Sequence, residues 1–466
     1  MNAEKSLQSH PRVPAGILHQ RIKDHYVVLH PQYPVWTIVN EMGWSILQLL
    51  TGDNSVEDVV QLLLARYEVD SETLTGDVQA FIASFVRSGL IATEDAAAAV
   101  APDVFSSVFL HITSKCNLHC KHCYYQAGAA APLADLDDAV ILSFLEAFVL
   151  AGGTQISLSG GETFLRLELV KEILERWPQA RFTILTNGTL IDDALAAYLA
   201  DKNVHLQISI DGSTAEIHDG IRGPGSFQAA LAGIAVLLRH GFSQRLNICT
   251  TVMKQNFDDA HNIISLARRI GVKMVRFIPL LKEGRACTTW QDIKNDVSEK
   301  QFEVFYTYIF DQAKQDYPDM QISSGLCGLT LDRRSFDQRG HWCPIARTLI
   351  VDSGGDVYSC AMLMKKEFCL GNICDNSIEQ LCASPVRLML ISALTQRKQK
   401  NENCRQCIWQ NFCQAGCMGL ALHSGGSIHV RDELCSFRKK LYEKAIVKLV
   451  EGKKPLYFTG ERSECT

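Results

Sequence analysis

The chain predicts an α/β fold: a parallel sheet, open or curled into part of a barrel, with a small α/β unit before it and a cysteine-rich region after it. Two observations carry this. Between residues 106 and 285, apolar runs of strand length alternate with helical patterns, and β/α units in series build parallel sheets. The chain also holds 17 cysteines in 466 residues, many at spacings that suit metal ligation.

Composition sets the frame. Hydrophobic residues make up 47% and charged residues 21%, which excludes a largely disordered, collagenous or coiled-coil chain. Lys plus Arg number 46 against 51 Asp plus Glu, a net charge of −5, so no basic excess points to nucleic acid. The opening MNAEKSLQSHPRV has no apolar signal-peptide core, and no stretch approaches the ~20 apolar residues of a membrane span. The expectation is a cytoplasmic protein with no membrane partner. In a reducing compartment, cysteine at this level points to metal rather than to disulfides.

Residues 13–93 form the first unit. Strands are expected around Tyr26–Leu29 and Val35–Val39. Three helical patterns follow: Asn40–Leu50, ended by Gly52; one opening after Asn54-Ser55, with Val56, Val59, Val60, Leu63 and Leu64 on one face; and roughly Thr75–Ser88, ended by Gly89. An Ala-rich linker spans 94–105. The core, 106–334, carries six strand-like runs: Val108–Ile112, Ile156–Leu158, Phe182–Leu185, Leu206–Ile210, Leu246–Val252 and Met274–Pro279. Helical patterns such as Ala139–Leu150, Ala194–Leu199, Phe227–Leu238 and Ala260–Ile270 lie between them. Ligands of such sheets bind at the carboxyl ends of the strands. Residues 335–440 are short elements between cysteines, which a core alone would not hold. Phe437–Leu449 reads as a helix with a charged face, leading into a final segment, 441–466.

After the first core strand comes Cys116-Asn-Leu-His-Cys120-Lys-His-Cys123. Three thiolates on one short loop suit three corners of an iron–sulfur cubane and leave one iron open. A zinc site with His119 or His122 as fourth ligand is the alternative. After the second strand comes Ser159-Gly160-Gly161-Glu162-Thr163. Paired glycines let backbone approach a ligand, and Glu162 offers an anion to an ammonium group.

Together the two motifs resemble those of the radical S-adenosylmethionine enzymes, over roughly residues 106–285. The resemblance implies a partial (β/α)6 TIM barrel. It implies a [4Fe–4S] cluster on Cys116, Cys120 and Cys123 whose open iron chelates S-adenosyl-L-methionine, with Gly160, Gly161 and Glu162 at the amino group. It also implies that Ser209, in Ser209-Ile210-Asp211-Gly212, contacts ribose or carboxylate, and that Arg222 pairs with the methionine carboxylate. His122 stands where the family has an aromatic residue packing on adenine.

The C-terminal cysteines run Cys343-x11-Gly355-x4-Cys360, then Cys404-x2-Cys407-x5-Cys413-x3-Cys417, then Cys435. A pair of zinc ribbons is one reading. The intervals resemble the SPASM extension of peptide-modifying radical S-adenosylmethionine enzymes, which holds two auxiliary iron–sulfur clusters. By that resemblance Cys404, Cys407, Cys413 and Cys435 ligate the outer cluster, and Cys343, Cys360 and Cys417 the inner one. Relatives with a fully ligated inner cluster carry another cysteine a few residues after the first. None lies in Pro344–Ser359, so the expectation is an open iron, with Cys327 or another thiol as the alternative.

Residues 13–93 resemble the small chaperone domain of pyrroloquinoline quinone biosynthesis. The shared features are a turn near Pro14, Leu29-His-Pro, Leu49-Leu50-Thr-Gly-Asp, Ser55-Val56-Glu57-Asp58 and Gly89-Leu90-Ile91. That winged-helix-like α+β unit binds a leader peptide as an added strand. The expected function is therefore maturation of a ribosomally made precursor peptide, recognised through its leader by a separable unit. The product is expected to be a Cys sulfur-to-carbon thioether, as in subtilosin-type maturases, made through a 5′-deoxyadenosyl radical with electrons from a flavodoxin- or ferredoxin-type donor. Carbon–carbon crosslinking or another side-chain oxidation shares every motif. Sulfatase-type oxidation is disfavoured by Ala361, where those enzymes place aspartate. A non-catalytic, zinc-stabilised peptide-binding scaffold would need neither Glu162 nor an open iron.

Overall fold

The computed structural model describes residues 10–91, 105–128, 134–295, 299–325, 329, 331, 336–337 and 340–452. Its first unit is an antiparallel sheet in the order β1 (Leu18–Ile22), β2 (His25–Leu29), β3 (Trp36–Asn40). The sequence showed only the last two strands, because LHQRI in β1 is polar at its centre. Three helices follow, α1 (Glu41–Leu49), α2 (Val56–Leu64) and α3 (Ser71–Ser88). Asn40 caps α1, and Ser55 with Asp58 forms a reciprocal capping box on α2. α3 starts a turn earlier than expected because the Asp70 side chain accepts the Thr73 N–H; it ends at Gly89, φ +76°.

Alternation along β2 splits its side chains between two cores. Val28 packs with Ile46, Val59, Leu63 and Val78 inside the unit. Val27 and Leu29 pack instead against Trp409, Phe412, Tyr442 and Ile446 of the C-terminal region. Of the expected linker, residues up to 104 fall outside the described residues.

The six core strands all form: β4 (Ser107–Thr113), β5 (Gln155–Gly160), β6 (Arg181–Thr186), β7 (Val204–Ser209), β8 (Leu246–Val252) and β9 (Met274–Pro279). They are parallel neighbours in chain order. The sheet is wider than expected. β10 (Gln321–Ser324) adds in parallel beside β9, and β11 (Thr348–Val351) in parallel beside β4, followed by antiparallel β12 (Asp356–Tyr358) and β13 (Gly371–Asn372). These strands have four residues or fewer, too few to show a period.

Around the core strands lie α4 (Asp138–Leu150), α5 (Leu167–Arg176), α6 (Asp193–Ala200), α7 (Ala215–Arg222), α8 (Ser226–Arg239) and α9 (Ala260–Ile270). Leu110, Ile112, Ile156, Leu158, Ile184, Leu206, Ile208 and Ile248 bury one face of the sheet in a continuous core with these helices. The alternate positions, including His111, Ser157, Ser159, Gln207, Ser209 and Cys249, give the other face a polar lining.

The C-terminal region contains α10 (Pro385–Lys400), α11 (Met418–Gly425) and α12 (Cys435–Val450). α10 was invisible as an amphipathic pattern because Arg387 and Arg397 are among its buried residues. α12 runs unbroken across the 440/441 boundary expected from the sequence. Among the described residues no single helix is long and apolar enough to cross a membrane.

Candidate active site

The loop bearing Cys116, Cys120 and Cys123 leaves the end of β4, and its neighbours fix it. Two of its sulfurs accept backbone N–H groups, Cys116 Sγ from Leu118 and Cys123 Sγ from Ala127, each at 3.4 Å. From beyond β9, Arg285 donates from Nη1 to Cys120 O at 2.8 Å and from its backbone N–H to Cys123 O at 2.9 Å. From the C-terminal region, Ser353 accepts a hydrogen bond from Tyr125 Oη at 2.9 Å and returns its own N–H at 2.6 Å. The Tyr125 ring stacks on His111, centroids 4.1 Å apart.

The Gly160-Gly161-Glu162 loop lies directly against this loop. Gly161 N–H donates to Thr113 O at 2.7 Å, and Glu162 N–H to Lys115 O at 2.8 Å. A Cβ on Gly160 would stand 2.3 Å from Thr113 O, and one on Gly161 2.0 Å from Lys115 O. The two glycines thus serve loop-to-loop contact as well as any ligand. Glu162 is fully buried. Its Oε1 accepts from Thr186 Oγ1 at 2.6 Å and Phe164 N–H at 3.2 Å, and its Oε2 from Asn187 N–H at 2.8 Å. Three of about four acceptor directions are filled. The carboxylate ties the ends of β5 and β6 together and has about one acceptor direction left. Burial pushes its carboxyl up, and these hydrogen bonds oppose the shift. Asn187 Nδ2 also donates to Asn117 Oδ1 at 2.8 Å, closing a link back to the cysteine loop. Sequence reasoning missed Asn117, Thr186, Asn187 and Arg285. The available signals were the amide inside the cysteine motif and polar residues at strand ends.

Beyond β7, Asp211 and the last residue of α7, Arg222, form a buried ion pair. Arg222 Nε donates to Asp211 Oδ2 at 2.6 Å, and Thr251 N–H to Asp211 Oδ1 at 2.8 Å. Burial pushes the Asp211 carboxyl up, but the adjacent Arg222 and the other groups around it outweigh that and hold it below its usual value. Arg222 Nη1 lies 3.8 Å from Cys120 Sγ, and Nη2 3.4 Å from His122 Nε2. Arg222 and His122 therefore meet at the trio, but Arg222 is engaged by Asp211. Burial pushes His122 down to about 4, so its ring is neutral, and its Nδ1 is buried with no hydrogen-bond partner. Ser209 is half-buried at the end of β7, opposite Cys249 of β8.

Cys404, Cys407, Cys413 and Cys435 line one pocket, walled by Trp409, Arg431, Arg438 and Tyr442. Cys343 and Cys360 pack against a small core that includes Ile345, Leu363, Leu390 and Met418. Cys417 stands at the N-cap position of α11 without a capping side-chain hydrogen bond, and its Sγ lies 3.8 Å from Met362 Sδ. Cys327 lies outside the described residues. Among the described residues no three His, Cys, Asp or Glu side chains converge on a single-ion site. Sets of soft thiolates in apolar surroundings suit iron–sulfur clusters, and four such sulfurs round one pocket fit that group. Burial pushes the Cys116 thiol up to about 11 and Cys413 up to about 12, so loading must displace protons.

Three family models match the chain: the radical SAM superfamily over residues 110–282, coenzyme PQQ synthesis protein D (PqqD) over 25–91, and the iron–sulfur cluster-binding domain SPASM over 343–408. The chain carries this three-domain architecture, which matches known peptide-maturase families. It is a radical S-adenosylmethionine/SPASM enzyme, oxidoreductase in type, using S-adenosylmethionine and iron–sulfur clusters. It is 26% identical over 346 residues to the AdoMet-dependent heme synthase of Methanosarcina barkeri, covering 70% of this chain and 95% of that one. It is 25% identical over 347 residues to the antilisterial bacteriocin subtilosin biosynthesis protein AlbA of Bacillus subtilis, covering 73% and 72%. Streptococcus suis SuiB, solved bound to the precursor peptide SuiA, shares the fold with a TM-score of 0.58 and 14% identity, over 91% of this chain and 99% of that one.

Proposed function

We propose that the protein matures a ribosomally synthesised precursor peptide, binding its leader with residues 13–93 and crosslinking its core in the domain over 106–334. The bond proposed is a thioether from a peptide cysteine. The observation that carries the reading is the cysteine loop itself. It is clamped at once by the Gly160–Glu162 loop, by Asp211–Arg222 and by Ser353 of the SPASM region. Likeness to the subtilosin biosynthesis protein supports the thioether.

When bound, a [4Fe–4S] cluster on Cys116, Cys120 and Cys123 and S-adenosylmethionine supply a 5′-deoxyadenosyl radical by one-electron cleavage of the sulfonium. The chain orients and shields. Glu162 offers its remaining acceptor direction to the ammonium group, with Gly160 and Gly161 closing the loop above it. Ser209 meets the ribose, and His122 gives the adenine side a neutral ring. Arg222, held by Asp211, keeps a positive charge beside Cys120. Cys404, Cys407, Cys413 and Cys435 would hold an outer cluster. Cys343, Cys360 and Cys417 would hold an inner one, a ligand short, a place that suits a substrate thiolate. The region over 335–440 then serves as the auxiliary-cluster domain, with a C-terminal helix and tail after it. A small flavodoxin- or ferredoxin-type donor in the cytoplasm supplies the electrons, with neither membrane nor nucleic acid involved.

The test is anaerobic turnover of a cysteine-bearing precursor peptide. The expected product has lost two hydrogen atoms per crosslink, and its cysteine resists alkylation. A Cys→Ser peptide that is still crosslinked would replace the thioether with a carbon–carbon bond. The Cys116→Ala, Cys120→Ala, Cys123→Ala triple variant is expected to keep auxiliary iron and make no 5′-deoxyadenosine.

A further inference from the structure

We infer that Arg397 is the shared counter-ion of the two auxiliary cysteine sets, a buried cation that sets how readily each cluster accepts an electron. The inference rests on the cluster reading above.

Arg397 lies on α10 and is 0% exposed. Its Nη1 donates to Gly416 O at 2.7 Å, and its Nη2 to Ala415 O at 3.0 Å and Val430 O at 2.6 Å. Two of these carbonyls belong to the three-residue link between Cys413 and Cys417, which joins a cysteine of the outer set to one of the inner set. That link has an unusual backbone. Gln414, Ala415 and Gly416 are all left-handed, at φ +54°, +63° and +77°. Successive left-handed residues with a Cβ are unfavourable and persist only where the surroundings enforce them. One consequence of the turn is that the carbonyls of residues 415 and 416 meet a single guanidinium.

The charge count makes this more than a clamp. The nearby carboxylate, Asp432, is bonded by both Nη atoms of Arg438, at 2.7 Å for the Nη2 pair, and also accepts Cys417 N–H at 2.8 Å and Leu434 N–H at 3.1 Å. Arg438 is 0% and Asp432 2% exposed. One carboxylate therefore faces two buried cations, and Arg438 holds it. Among the described residues Arg397 meets only carbonyl acceptors, and its buried Nε–H has no acceptor. A buried cation without an anion is strongly disfavoured. Burial pushes the guanidinium down, while Cys417, then Asp432, Cys343 and Cys413 push it back up. The link that Arg397 bonds joins Cys413 of the outer set to Cys417 of the inner set, so sulfurs of both sets are placed to complete the balance. They become thiolates when iron displaces their protons. Positive charge and N–H groups beside a cluster in a low-dielectric surrounding favour its reduced state.

The test uses full-length protein reconstituted anaerobically, as Arg397→Gln, which removes the charge, and Arg397→Lys, which keeps it but loses the fork. Iron content and EPR-monitored redox titrations are the readouts. A counter-ion requires both auxiliary potentials to move negative in R397Q, and less in R397K, with the cluster on Cys116, Cys120 and Cys123 unmoved. Should R397Q fail to load auxiliary iron while R397K loads it, charge is again the requirement, in agreement with the inference. Unchanged potentials in a fully loaded R397Q would overturn it, and so would equal loss of auxiliary iron from both variants, which marks a clamp. Wild-type protein with no auxiliary iron would instead remove the cluster reading itself.

Discussion

Gly161 is the residue on which the first site is most sensitive. Its missing Cβ would meet Lys115 O at 2.0 Å, and both partners are main chain, so neither can rotate away. Gly161→Ala is expected to displace the cysteine loop and lose the first cluster's iron and all 5′-deoxyadenosine formation, with auxiliary iron retained. Iron assay and product chromatography check this. Asp211→Asn leaves Arg222 buried without its anion, an expected cost of about 3–5 kcal/mol, read from urea unfolding. Buried histidines contribute to the acid response, and two of them lie outside the cysteine loop. Burial pushes His111 down to about 3 and His218 to about 4, so both are neutral in the fold. In the unfolded chain each titrates near 6.5. Between those limits the unfolded state binds more protons, so stability falls as pH drops through about 6.5, by up to ~1.4 kcal/mol per pH unit for each histidine. His111→Phe, which keeps the stack on Tyr125, is expected to reduce the slope of unfolding free energy between pH 7 and pH 5, with His218 still contributing. Equal slopes in the two proteins would contradict the assignment.

Elements were legible where burial was continuous. The run Ile156–Leu158 could be read as a strand because helices cover it, whereas β10 to β13 are short edge pieces whose pairing is decided by distant chain. The same holds at the site. Cys116, Cys120, Cys123, Gly160, Gly161 and Glu162 announced themselves by spacing, but Asp211 as the partner of Arg222, and Arg285 on the cysteine loop, depend on which strand ends become neighbours. Helix α10 stayed hidden because Arg387 and Arg397 occupy apolar positions. β2 shows how an element can serve two cores. Leu29 is fully buried against Trp409, Phe412 and Tyr442, while Trp36 Nε1 donates to Leu331 O at 2.8 Å and Asn411 Nδ2 to His30 O at 2.9 Å. Leu29→Ala removes apolar contact from this junction at an expected ~2–5 kcal/mol. It is expected to raise hydrogen exchange in β2 and β3, and protection equal to wild type would mean that the junction carries little energy.

For the whole molecule, the junction changes what leader recognition can mean. The sequence suggested a recognition unit that could be removed. In the fold, its sheet covers Trp409, Phe412 and Tyr442, and Trp409 and Tyr442 also wall the pocket lined by Cys404, Cys407, Cys413 and Cys435. One apolar layer therefore joins the N-terminal unit to the pocket lined by Cys404, Cys407, Cys413 and Cys435. Deleting residues 1–93 uncovers that layer, and an exposed apolar patch of this kind invites association. The truncated chain is expected to bind leader-bearing peptide weakly, to lose iron from the outer set and to associate in solution. The cysteine loop, whose clamps all lie beyond residue 105, is expected to keep its iron. Calorimetry with the peptide, iron analysis and sedimentation separate these effects. A monomeric truncated chain with full outer iron would show that the layer is dispensable. Weak peptide binding in that same chain would leave leader recognition assigned to residues 13–93, and unchanged affinity would remove that assignment as well.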